Sequence, residues 1–157
     1  MRIITPGNLL TTCALLLALV STSVWADHLN RSADIDGVKL YLGIVSAEDL
    51  LRNARVNPTA YPAHEIPKAP DMFHVIVVLI DKATGARIRD AKVIGRISPL
   101  ALFGQEKIMR PMVTAGAVNY CEFFQIPSND QYTIDLQITR PNYPNVLVAH
   151  FDHKRLE

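Results

Sequence analysis

From Val38 the chain alternates, with Val38, Leu40, Leu42 and Ile44 on one side and Lys39 and Tyr41 on the other. A period of two predicts a half-buried β-strand. The same pattern returns over 132–139, where Tyr132, Ile134, Leu136 and Ile138 face in and Asp135 and Gln137 face out. Phe73 to Ile80 is different, an unbroken apolar and β-branched run. Such a run predicts a central strand covered on both sides. Ahead of it, Ser46-Ala47-Glu48-Asp49 offers an N-cap and an acidic first turn, and Leu50 and Leu51 add an apolar side. These residues predict a short helix from Ala47 to about Arg55. Pro58, Pro62, Pro67 and Pro70 follow. Proline at that density excludes helix and central strand, so residues 56–71 are an extended connector.

Turn chemistry punctuates the remainder. Residues 27–37 are polar and end in the turn signal Asp36-Gly37. Asp81-Lys82-Ala83-Thr84-Gly85 predicts a hairpin joining the 73–80 strand to a partner over 88–97. Ser98-Pro99 ends that partner, and residues 100–105 form a loop. Lys107 to Met112 reads as a short edge segment, because Pro111 interrupts a ladder. A strand over 120–126 is closed by Pro127-Ser128-Asn129-Asp130, and Pro141 to Asn145 turns the chain into a last strand over 146–153. Evenly spaced strands without long intervening helices predict a mostly β fold, an antiparallel β-sandwich with one short N-terminal helix. A barrel is the alternative closure. Residues 27–157 are expected to form one domain, with 27–71 contributing the first strand, helix and connector and 72–157 the core.

The N-terminus adds a destination. Arg2 is the only charged residue before Asp27, and the apolar stretch Cys13–Val20 is too short to span a bilayer. Small or modest residues follow up to Val24 and Ala26. This is the layout of a secretory signal peptide over residues 1–26, cleaved after Ala26. The expectation is a periplasmic or secreted protein without stable membrane insertion. Its 16 Lys and Arg against 15 Asp and Glu exclude a nucleic-acid binder that works by charge. Beyond residue 26 the only cysteine is Cys121, so no internal disulfide is available.

The candidate chemistry is soft. His64, Met72, His74, Met109, Met112, Cys121, His150 and His153 supply imidazole, thioether and thiol donors, which favour copper. Met72 and His74, two apart on an extended segment, project from one face. Met109 and Met112 lie on opposite faces of a regular strand unless Pro111 breaks it, and His150 and His153 face the same difficulty. The expected donors are Met72, His74, Met109 and Met112, with His64 or His150. The competing reading has the methionines filling core gaps and the histidines solvated. Cys121 fits a buried small hydrophobe, with Glu122 raising its thiol pKa. No Gly-x-Ser-x-Gly elbow, phosphate-cradling glycine loop or His-Glu-x-x-His helix occurs, and Asp34-x-Asp36-Gly37 lacks the downstream bidentate Glu of a calcium loop. A non-catalytic protein is therefore expected. The apolar loop Leu100-Ala101-Leu102-Phe103 is a candidate docking site for an envelope protein.

Three stretches together carry a resemblance: Asp36 to Gly43, His74 to Val93 with its Thr84-Gly85 turn and Asp90-Ala91, and Arg110-Pro111-Met112. They resemble a family of small secreted bacterial proteins of uncharacterised role. The middle stretch is also similar to the opening hairpin of YtkA-like and other immunoglobulin-like periplasmic modules. The resemblance implies an immunoglobulin-like envelope β-sandwich and, through some relatives, copper handling. One departure stands out: where that family carries a glycine after the tyrosine matching Tyr120, this chain has Cys121. The sequence thus points to an exported protein that binds or delivers a soft metal such as copper. An interaction or assembly accessory of the envelope is the alternative.

Overall fold

The computed structural model describes residues 31–56, 66–100, 102–114, 116–127 and 131–155. Its elements are β1 (Ser32–Ile35), β2 (Val38–Ser46), α1 (Ala47–Val56), β3 (Met72–Asp81), β4 (Lys92–Pro99), β5 (Gln105–Thr114), β6 (Ala117–Gln125), β7 (Gln131–Thr139) and β8 (Leu147–Lys154). The strands form one antiparallel eight-stranded sheet in the order β1-β2-β3-β6-β5-β4-β7-β8. The mostly β, antiparallel character and, among the described residues, the one short helix agree with the sequence reading. Among the described residues no helix is long and apolar enough to cross a membrane.

β5 holds the two halves together. Its residues 105–109 pair with β4, whereas 110–114 pair with β6. The sheet therefore turns at the middle of β5 and wraps one interior, to which β2 through β8 all contribute apolar side chains. Arg31 Nη2 stands 3.5 Å from His153 Nδ1, so the segment leading into β1 reaches the far edge strand β8. Alternation does the filling. Tyr132, Ile134, Leu136 and Ile138 are all buried, as their spacing predicts.

Three sequence expectations need correction. The stretch before the Asp36-Gly37 turn is not merely a polar lead, because Ser32–Ile35 pairs with β2 as β1. Asp36 and Gly37 have φ of 41° and 78°, the two left-handed residues that a tight two-residue hairpin demands. Next, the 81–85 turn forms, with the Asp81 carboxylate accepting the Ala83 and Thr84 N–H groups at 3.1 Å each, but it does not close a β3–β4 hairpin. Both edges of β3 are occupied, by β2 and β6. The returning chain makes a single bridge, Ile80 to Arg87, and crosses to the other half of the sheet. The Tyr120 hydroxyl holds that crossing by accepting the Ala91 N–H at 2.9 Å and donating to the Ile88 carbonyl at 3.2 Å. Finally, the Pro111 segment is not a short edge piece but part of an interior ten-residue strand. Pro111 is tolerated because it falls in the half of β5 that pairs on one side only.

Candidate functional site

Directly opposed residues of antiparallel strands share a face. On β3 and β6 the pairs His74–Phe123 and Ile76–Cys121 face one way, and β5 continues that face with Arg110 opposite Cys121 and Met112 opposite Asn119. Four of the soft donors, Met72, His74, Cys121 and Met112, therefore project from the same outward side of the sheet. Helix α1 lies over part of it. Ala47 and Leu50 pack with Phe123 in a second apolar cluster, flanked by Val45, Ile66 and Met72. The helix starts where the sequence places it: Ser46 Oγ accepts the Asp49 N–H at 3.0 Å and donates to the Asp49 carboxylate at 2.7 Å. Beside its first turn is a cavity of about 220 Å³, walled by Ser46, Glu48, Leu51, Lys68, Met72 and Arg155 among others.

The four donors do not converge on one point. They occupy four successive rows, from Met72 opposite Gln125 to Met112 opposite Asn119. Six residues of strand separate the ends, roughly 20 Å. Met72 sits against the helix. His74 is buried, its ring stacked on Phe123 with centroids 4.7 Å apart and planes at 30°. Cys121 and Met112 do meet, with sulfurs 3.9 Å apart. The thiol S–H points to either Met112 Sδ or the Arg110 carbonyl at 3.8 Å. Burial pushes the Cys121 thiol up to about 11, the Glu122 carboxylate adds to the rise, and Arg110 opposes it. Arg110 in turn pairs with Glu122 at 3.1 Å. A separation of 3.9 Å is less than two metal–thiolate bonds of about 2.3 Å, so both sulfurs can bond one soft ion without moving apart. The Cys121–Met112 pair thus offers a thiol and a thioether side by side, soft donors of the kind that copper(I) favours.

The other expected ligands lie elsewhere. Met109 faces the interior, 1% exposed, with Sδ 3.1 Å from where a Cβ on Gly95 would stand, a tight approach that a side chain there would crowd. His150 is exposed on β8, with Nδ1 2.5 Å from Asp135 and Nε2 3.9 Å from Asp152. His153 projects toward Arg31. His64 lies outside the described residues. Among the described residues no group of three or more His, Cys, Asp or Glu side chains is placed to hold a metal ion. Leu100 and Leu102 are 59% and 66% exposed, and Phe103 is fully exposed, while Ala101 of the same loop lies outside the described residues.

Sequence reasoning had Cys121 among the donors but did not join it to Met112. The signal was present. Gly116 has φ of 77° and ends a tight turn between Thr114 and Ala117. Counting outward from that turn sets Met112 against Asn119, one residue before Tyr120 and two before Cys121. The turn glycine thus carried the register.

No family model and no curated protein matches the chain. Solved structures do. One is a DUF4426 family protein from Pseudomonas aeruginosa PAO1, with TM-score 0.54 and 14% identity, the match covering 80% of this chain and 98% of that one. A copper-bound variant of FetP from uropathogenic Escherichia coli strain F11 matches with TM-score 0.59 and 10% identity, over 80% and 93% of the two chains. FetP as isolated after expression in the E. coli periplasm gives TM-score 0.54 and 13% identity, over 80% and 94%. At these identities the likeness is one of fold, and the chain shares an architecture used by an uncharacterised family and by a copper-bound protein.

Proposed function

We propose that this is an exported, non-catalytic envelope protein that binds a soft cation, copper(I), through Met112 and Cys121. Residues 1–26 serve as its signal peptide, and the two halves that meet at β5 act as the layers of a sandwich presenting the site. The observation that carries the reading is the pair of sulfurs 3.9 Å apart on the outward face. The fold likeness to a copper-bound protein supports it. Thiolate and thioether together select a soft monovalent ion over hard cations.

Binding must displace the thiol proton. With that proton held to about 11, apparent affinity rises about tenfold per pH unit from roughly pH 6 to 9. Competition titrations of copper(I) against a chromophoric chelator measure this. The expected result is binding tighter than about 1 µM, with Cys121→Ser abolishing the pH slope and Met112→Leu weakening binding at constant slope. Binding weaker than that, or unchanged in both variants, ends the proposal.

A second reading, an interaction module of the envelope, rests on the full exposure of Phe103. Pull-downs from envelope extract with the native chain and with Phe103→Asp address it. Identical partner lists count against it.

A further inference from the structure

The outward face of β5, β4, β7 and β8 differs from the helix-covered one. Register arranges its side chains in rows. One row reads Glu106, Arg96, Asp135, His150 across the four strands. The neighbouring row reads Ile108, Ile94, Gln137, Val148. Ile108 and Val148 are 60% and 59% exposed. Within the first row Arg96 pairs with Glu106 and His150 with Asp135, each at 2.5 Å. All four side chains nevertheless stay between 35% and 59% exposed, open on the outward side.

The order of these groups is informative. Acid, base, acid, base becomes base, acid, base, acid when the row is reversed, so every position meets its complement. We infer that this face is the contact surface for a second copy of the chain, docked face to face about a two-fold axis running along the strands between β4 and β7. That operation sets Glu106 against the second copy's His150 and Arg96 against its Asp135. In the next row it sets Ile108 against Val148 and Ile94 against Gln137, so the exposed apolar ends also meet each other. An isologous contact needs this self-complementarity of a single patch. No charge is desolvated alone, because Arg96 and Glu106 arrive already paired and Asp135 arrives hydrogen-bonded to His150 within its own copy.

Size sets the strength. Four strands by about eight residues is a footprint of roughly 19 Å by 26 Å, near 500 Å² per copy. About 1,000 Å² in total is at the lower limit for a specific interface, which implies a concentration-dependent dimer of micromolar affinity.

The test uses sedimentation velocity on the protein purified after expression of the full chain, over concentrations up to about 1 mM. The native chain is expected to pass from monomer to dimer. Arg96→Glu alone sets like charge against Asp135, and Asp135→Arg alone sets like charge against Arg96, so each weakens self-association at least about tenfold. An equimolar mixture of the two variants restores every cross-copy pair and dimerises. Arg96 is exposed and Asp135 half-buried, so circular dichroism verifies the fold of each variant. A native chain that stays monomeric, a single variant that self-associates as the native does, or a mixture that fails to pair overturns the inference. Copper binding is not involved in any of these readouts.

Discussion

The outward side chains of β3 and β6 run Met72, His74, Ile76 and Cys121, Phe123, whereas those of β4 and β7 run Ile94, Arg96, Ser98 and Thr133, Asp135, Gln137. Both sets stand on the back of the same sheet, and their opposite sides fill one interior. The difference is what lies over them. α1 and Ile66 cover part of the first set, around Met72 and Phe123, and His74 and Phe123 are buried there. The second set stays wet, and charge replaces hydrocarbon. A strand's period therefore reports how many of its faces are covered: the continuous run of β3 has a helix over part of its back, and the alternation of β7 has water. Soft donors collect on the covered side and paired charges on the open side, so the proposed metal site and the proposed docking face fall on different parts of one sheet.

Four substitutions probe this contrast. The largest effect is expected from Phe123→Ala, which removes the floor under α1 and the ring beneath His74; denaturant unfolding should show a loss of about 3–5 kcal/mol. A loss below about 1 kcal/mol would mean that the helix does not seal this face. Next comes Ser46→Ala, which deletes the hydroxyl that caps α1 and costs about 1 kcal/mol; the same measurement reads it, and no change would show the helix held by packing alone. Smallest is the pair Ile108→Thr and Val148→Thr on the open face, each within about 0.5 kcal/mol of the native chain at dilutions where it is monomeric. A larger loss in either would reveal that the open face is covered within a single copy.

Much of this architecture is readable along the chain. The alternation of β2 and β7, the unbroken run of β3 and the Ser46 cap all appear as local patterns, because each is fixed by neighbours within a few residues; most of the expected connector, residues 57–65, lies outside the described residues. The site was readable only in pieces. Met112 and Cys121 are both visible as soft donors, yet their meeting depends on the β5–β6 register, which the Gly116 turn sets. Met109, three residues from Met112, shows the converse: one strand sends one sulfur inward and the other outward. Parity along the strand places them on opposite faces, but not which face is the interior.

The hairpin expected between β3 and β4 marks the boundary between the two kinds of information. Asp81, Thr84 and Gly85 determine a turn by themselves, through side-chain acceptance of backbone N–H groups and a left-handed glycine. What the returning chain pairs with was decided elsewhere, because β6 competes for the same edge of β3 and takes it, with Tyr120 fixing the crossing. By itself the sequence indicated the capped helix, the turns and every strand but β1, since these are settled by short-range sterics and capping, though not where each one ends. Only the tertiary structure decided strand order, the bend at β5 and the choice of covered face, since these arise from competition between segments far apart in the chain.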